Sequence, residues 1–131
     1  ALASPGGMTQ IAMHGGRLFV TDFMAAALRR APEKLDGTMS EVWTQQAAQA
    51  PWGLVFDAEG RAFWSTSANR IHRFDGKENV EWAGAGGGLN IPIGLALGPD
   101  GNLYAASLHG QVTVWKTDAP NAGAPLRVDR R

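Results

Sequence analysis

Short apolar runs with a period of two recur along the chain, each closed by a glycine-bearing turn. Leu54 and Phe56 alternate with Gly53 and Val55, and Leu95 and Leu97 alternate with Gly94 and Ala96. This spacing puts every second side chain on one face, the pattern of a short strand with a buried side. Asp57-Ala58-Glu59-Gly60 and Gly98-Pro99-Asp100-Gly101 follow directly. Each ends on a glycine able to take a positive φ, and Pro99 presets a corner, so both segments are hairpin turns. Second strands are predicted over Arg61 to Thr66 and Asn102 to Ser107, and third strands over Arg70 to Phe74 and Gln111 to Trp115. Asp75-Gly76 is a turn signal before a fourth strand at Val80 to Trp82.

The same order is written twice. PWGLVFDAEGRAFWST begins at Pro51 and PIGLALGPDGNLYAAS at Pro92, 41 positions later, and the agreement runs without a gap to Phe74 and Trp115. A fixed period of about 40 residues marks a repeat architecture, and four short antiparallel strands per period describe a propeller blade. A more divergent unit precedes these two: Ile11 and Met13, the turn His14-Gly15-Gly16, then Arg17 to Asp22. In it, Leu35-Asp36-Gly37 followed by Trp43 mirrors Phe74-Asp75-Gly76 followed by Trp82. Phe23 to Pro32, FMAAALRRAP, is read as an insertion whose Ala, Leu and Arg favour a short helix ended by Pro32. Thr44 to Ala50 is a second helix-prone piece, Ala83 to Gly88 a flexible connection, and Leu126 to Val128 a last outer strand before a fraying tail, Asp129 to Arg131.

The stretches PIGLALGPDGNLYAAS with QVTVW, and PWGLVFDAEGRAFWSTSANRIHRF, resemble NHL-type propeller blades, in the wider group that includes the gluconolactonase and streptogramin lyase propellers. The resemblance implies an all-β, antiparallel β-propeller segment of about three four-stranded blades. Blade 1 is expected at about 5–50 with the helical insertion at 23–32, blade 2 at about 51–91 and blade 3 at about 92–131. A compact sandwich of about twelve strands is the alternative. Propellers close with roughly four to eight blades, so three leave two apolar sheet faces uncovered. Half of a six-bladed ring is therefore expected, completed by a second copy, a different protein partner, or sequence beyond this stretch.

Composition narrows the partners. Lys and Arg total 12 and Asp and Glu total 12, scattered along the chain, so no positive field exists to hold nucleic acid or an anionic membrane. No apolar run approaches the roughly 20 residues that cross a bilayer, so membrane insertion is not expected. Absence of cysteine excludes a disulfide framework and thiolate metal sites. The start at Ala1 without Met is read as a processed form or a piece of a longer chain, with a periplasmic or extracellular setting slightly favoured by the habits of related propellers.

In propellers of this type, ligands meet the loops leading into the innermost strand and those joining the second strand to the third. Here these are Met8 to Gln10, Pro51 to Gly53 and Pro92 to Gly94, and then Asp22-Phe23, Thr66 to Asn69 and Ser107 to Gly110. Gluconolactonase-like relatives hold a divalent ion through oxygen ligands, with an Asn leading the inner strand and an Asp ending the second. This chain has Trp52 and Ile93 at the first position, and Asp22, Thr66 and Ser107 at the second. Asp22 alone matches as a Ca or Mg ligand; its other reading is a cap on the inserted helix or an acceptor in its own turn. His109, in a predicted loop on the ligand-facing side, is the candidate acid or base, weighed against an ordinary exposed turn histidine. Trp52 at the channel mouth could stack on a flat ligand, whereas Trp43, Trp64, Trp82 and Trp115 fall on strands and are expected to pack between blades. His14 and His72 are read as surface residues. The resulting expectation is a non-catalytic scaffold without a cofactor that binds a protein or small molecule. The alternative is a metal-dependent, lactonase-like hydrolase or a lyase with part of its site on another chain.

Overall fold

A computed structural model describes residues 7–34, 41–45, 50–84, 89, 91–118, 122 and 124–130. Twelve strands in this part form three separate antiparallel meanders, each with its strands in sequence order. The first contains β1 (Met8–His14), β2 (Arg17–Asp22), β3 (Ala27–Arg30) and β4 (Glu41–Gln45). The second contains β5 (Pro51–Phe56), β6 (Ala62–Thr66), β7 (Ile71–Phe74) and β8 (Asn79–Ala83). The third contains β9 (Pro92–Leu97), β10 (Leu103–Ser107), β11 (Gln111–Trp115) and β12 (Arg127–Arg130). These are three propeller blades.

The sequence offset of 41 is also the offset of the ladders. Leu54 faces Trp64 and Phe56 faces Ala62 in blade 2; Leu95 faces Ala105 and Leu97 faces Leu103 in blade 3. Beyond a register shift in each, Pro51 meets Thr66 and Pro92 meets Ser107. The hairpins close alike: Gly60 N–H donates to the Asp57 carbonyl at 3.0 Å and Gly101 N–H to that of Gly98 at 3.0 Å. Gly60 and Gly101 have φ of 81° and 79°, a region a side chain resists.

The blades stack through their first strands, β1 against β5 and β5 against β9, so these are the innermost. Two clusters fill the seams. Phe19 and Leu28 of blade 1 meet Leu54, Ala62, Trp64 and Phe74 of blade 2, with Trp43 edge-on to Phe74 at 4.7 Å. Phe63, Ile71 and Trp82 of blade 2 meet Leu103, Ala105 and Trp115 of blade 3, and Trp82 and Trp115 pack edge to face at 6.1 Å. The four strand tryptophans therefore lie in the seams, as their sequence positions imply.

The helix expected within 23–32 does not form. Residues 23–26 are a turn of the same length as 67–70, and Ala27–Arg30 is the third strand of blade 1. Helix propensity is a weak prior, and here a strand buries Leu28 against blade 2 at 1% exposure. The surplus residues of blade 1 sit instead between β3 and β4. Thr44 belongs to β4, not to a helical connection, while 46–49 and the Leu35-Asp36-Gly37 turn fall outside the described residues. The last strand continues through Arg130, further than the sequence pattern indicated, because it pairs with β11 from Val114↔Arg127 to Gln111↔Arg130.

Candidate functional site

One end of the segment is built three times over. The first N–H after each second strand donates to the carbonyl just before the same blade's first strand: Phe23 to Gly7 at 2.8 Å, Ser67 to Ala50 at 3.0 Å, and Leu108 to Ile91 at 3.0 Å. These bonds hold the leading loops beside the loops between second and third strands. The candidate residues therefore lie on one loop face, and the blades join them in pairs across the seams.

At the first seam, Trp52 of blade 2 packs its ring on Phe23 of blade 1, centroids 4.7 Å apart. Trp52 is half-buried, and its indole Nε1 meets no acceptor among the described residues. Its backbone carbonyl accepts from the Thr21 hydroxyl at 3.1 Å and the Thr9 hydroxyl at 3.2 Å. At the second seam the Asn69 side chain accepts the Ile91 N–H at 2.7 Å, and the Ser65 hydroxyl donates to the Ile93 carbonyl at 3.1 Å. Asn69 and Ile91 both have positive φ, 58° and 55°. For a β-branched residue this is an uncommon backbone, and the bonds to Asn69 and Leu108 hold it.

Thr21 and Ser65 precede Asp22 and Thr66 at one position of the unit, and each fastens its blade to the next through a hydroxyl aimed at a first-strand carbonyl. Sequence reading missed this pair. The signal was a small hydroxylated residue just before the end of the second strand, indistinguishable in a single chain from an ordinary strand residue.

Asp22 is fully buried and committed. Its Oδ2 accepts from Arg29 Nε at 2.7 Å, and its Oδ1 accepts the Ala25 N–H at 3.1 Å. The carboxylate thus caps its own turn, the second of its two sequence readings, and neutralises a guanidinium the sequence did not single out. Thr66 is buried, donating to the Arg70 carbonyl and accepting the Ala68 N–H. Ser107 is buried at the matching place in blade 3, Ile93 is half-buried, and His109 is exposed in the loop 108–110. His109 makes no hydrogen bond to a described residue.

His72 corrects the sequence reading, which placed it on the surface. It is 3% exposed, stacks on Trp64 at 5.4 Å, and its Nδ1 lies 3.1 Å from Asn79 Oδ1. Burial lowers its pKa from 6.5, partly offset by the Asn79 bond and the Glu81 charge. His14 is half-buried, stacked on Phe56 at 4.6 Å.

The donors do not fit a hard divalent ion. Such a cation needs six or more oxygens, several of them free carboxylates, whereas Asp22 is paired and Trp52 and Ile93 offer only carbonyls already accepting hydroxyls. Among the described residues no three His, Asp or Glu side chains gather.

Solved structures share the fold. Streptogramin B lyase superposes with a TM-score of 0.72 at 14% identity, over 97% of this chain and 41% of that one. The catalytically inactive virginiamycin B lyase of Staphylococcus aureus with quinupristin gives 0.72 at 20% identity, over 92% and 44%. A chain of a nidogen/laminin complex gives 0.73 at 23% identity, over 95% and 49%. The chain thus spans less than half the length of these relatives, and the likeness establishes a β-propeller architecture. No protein-family model and no curated protein matches the sequence.

Proposed function

We propose that the chain is a binding scaffold: three blades of a propeller that further blades complete, presenting its loop face to a protein or small molecule. The commitment of Asp22 to Arg29 carries this reading, because the loop-face carboxylate nearest to a metal or catalytic role is spent inside the fold. The ring pair Phe23–Trp52 on the loop face supports a flat ligand that stacks on it, such as a sugar or lactone. A second reading, a lyase or metal-dependent hydrolase whose remaining groups come from other blades, draws on the exposed loop histidine, His109.

Calorimetric titration with Ca²⁺ or Mg²⁺, and an assay of gluconolactone hydrolysis, test the choice. No ion binding at millimolar concentration and no turnover are expected. Submillimolar binding that Asp22→Asn abolishes, or turnover that His109→Ala abolishes, would overturn the scaffold reading. Tryptophan fluorescence titrated with gluconolactone should respond, and Trp52→Phe should remove the response.

A further inference from the structure

The open side of blade 3 keeps the shape of a seam. On blade 2, the face covered by blade 3 includes Gly53, Val55, Phe63, Ser65 and Ile71. A Cβ at Gly53 would collide with the Ile93 carbonyl oxygen and lie 3.1 Å from Leu95 N, because the β9 backbone rests directly on the glycine. Moved by 41 positions, the same places are Gly94, Ala96, Tyr104, Ala106 and Val112. Gly94 repeats the glycine although its space is open: a Cβ there would meet only Ala106 Cβ at 3.9 Å. Together with Leu95 these residues line an apolar groove of about 340 Å³.

The opposite end carries what such a groove receives. Ile11 and Met13 of β1 hold the ladder positions of Leu54 and Phe56 on β5, and of Leu95 and Leu97 on β9. On β5 and β9 those side chains pack against the preceding blade. On β1 they face solvent, with 59% and 61% exposure. Such large apolar side chains in adjacent alternate places mark an unpartnered face.

We propose that β1 of a second copy of this chain docks, head to tail, in the Gly94–Ala106 groove of blade 3, and that two copies close a six-bladed ring. This rests on the scaffold reading above. The seam between blades 2 and 3 is its template, with Ile11 and Met13 of one copy in the places of Leu95 and Leu97. A head-to-tail contact made twice about a two-fold axis closes without an open edge, and six blades lie within the usual range of roughly four to eight. Equal numbers of basic and acidic residues, 12 each, oppose no self-association. The new seam differs in one respect. Ala106 stands where Ser65 and Thr21 supply the hydroxyl that grips the next blade's carbonyl, so this junction lacks a bond that both internal seams have.

Sedimentation equilibrium over a wide range of concentration tests the proposal on the whole chain. The expected mass is twice 13.9 kDa at high concentration, dissociating on dilution. Gly94→Leu, which fills the groove, should yield monomers with unchanged far-ultraviolet circular dichroism. Ala106→Ser should tighten the dimer by at least about fivefold, since the ring holds two such junctions and each gains one hydrogen bond. A monomer at every concentration, a dimer that Gly94→Leu leaves intact, or an Ala106→Ser dimer no tighter than wild type would overturn it. Should the dimer fail while the gluconolactone response persists, the docking inference falls and the scaffold reading stands.

Discussion

The middle and last blades share a sequence pattern but differ in their surroundings. In β6 all five residues, Ala62 to Thr66, are buried, whereas β10, its repeat partner, alternates buried and more exposed positions from Leu103 to Ser107. Alternation in a strand ordinarily reports one wet face. In blade 2 both faces are dry, because blade 1 covers one and blade 3 the other. Neighbours, rather than the strand's own pattern, decide which side chains carry stability here.

The largest test of that difference is truncation of equivalently placed aromatics. Phe63, sealed between blades 2 and 3 with no exposed surface, should cost about 4 kcal/mol on replacement by alanine. Tyr104→Ala, on the face of blade 3 that is open in dilute protein, should cost about 1 kcal/mol when measured there. Urea unfolding gives both values. Equal losses would mean that blade 3 is covered as completely as blade 2.

Blade 1 manages its outward side differently, by placing an ion pair there. Arg29 faces Val20 across the ladder and reaches Asp22 at 2.7 Å. Asp22→Ala leaves a buried guanidinium without its carboxylate, so a loss of about 3 kcal/mol is expected. Arg29→Met added to Asp22→Ala should restore much of it, because the pair's own net worth is small once both charges are gone. A double variant as unstable as the single one would show that Asp22 acts mainly through the turn at Ala25.

Glycines at the paired positions give a finer contrast. Gly53→Ala forces the Ile93 carbonyl away and should cost about 2 kcal/mol, the scale of overpacking a tight seam. Gly94→Ala, measured in dilute protein, should change stability by no more than about 0.5 kcal/mol. Similar costs at both would mean that the backbone at Gly53 yields readily.

These contrasts also show what a single sequence can and cannot carry. Blade register was legible because the offset of 41 preserves every face of the second and third units. The loop face was legible because turns and strand ends fix which residues share an end. The third strand of blade 1 was not, since Ala27-Leu28-Arg29-Arg30 has helical composition and becomes a strand only through pairing with β2 and β4. Nor were the hydroxyl links at Thr21 and Ser65 or the pair Asp22–Arg29, which exist only once two strands or two blades meet.

His72 sets the smallest and most specific test, because it was misread for the reason that separates the two blades. It alternates along β7 as an outward residue would, yet blade 1 closes over that side, and burial lowers its pKa from 6.5. The Arg70 charge also lowers it, while Asn79 and Glu81 hold it up in part. For a base with a depressed folded-state pKa, the unfolded chain binds more protons below about pH 6.5, so folding stability rises with pH there. The stabilisation from keeping the ring neutral is thus complete above that point and is lost as pH falls towards the folded value. Wild-type urea midpoints should drop between pH 7.5 and pH 5.5, above the range where carboxylates titrate. His72→Gln should flatten that drop while lowering stability at pH 7.5 through the lost stacking on Trp64. A drop of equal size in the variant would assign the acid sensitivity to other groups and leave β7 with a wet face after all.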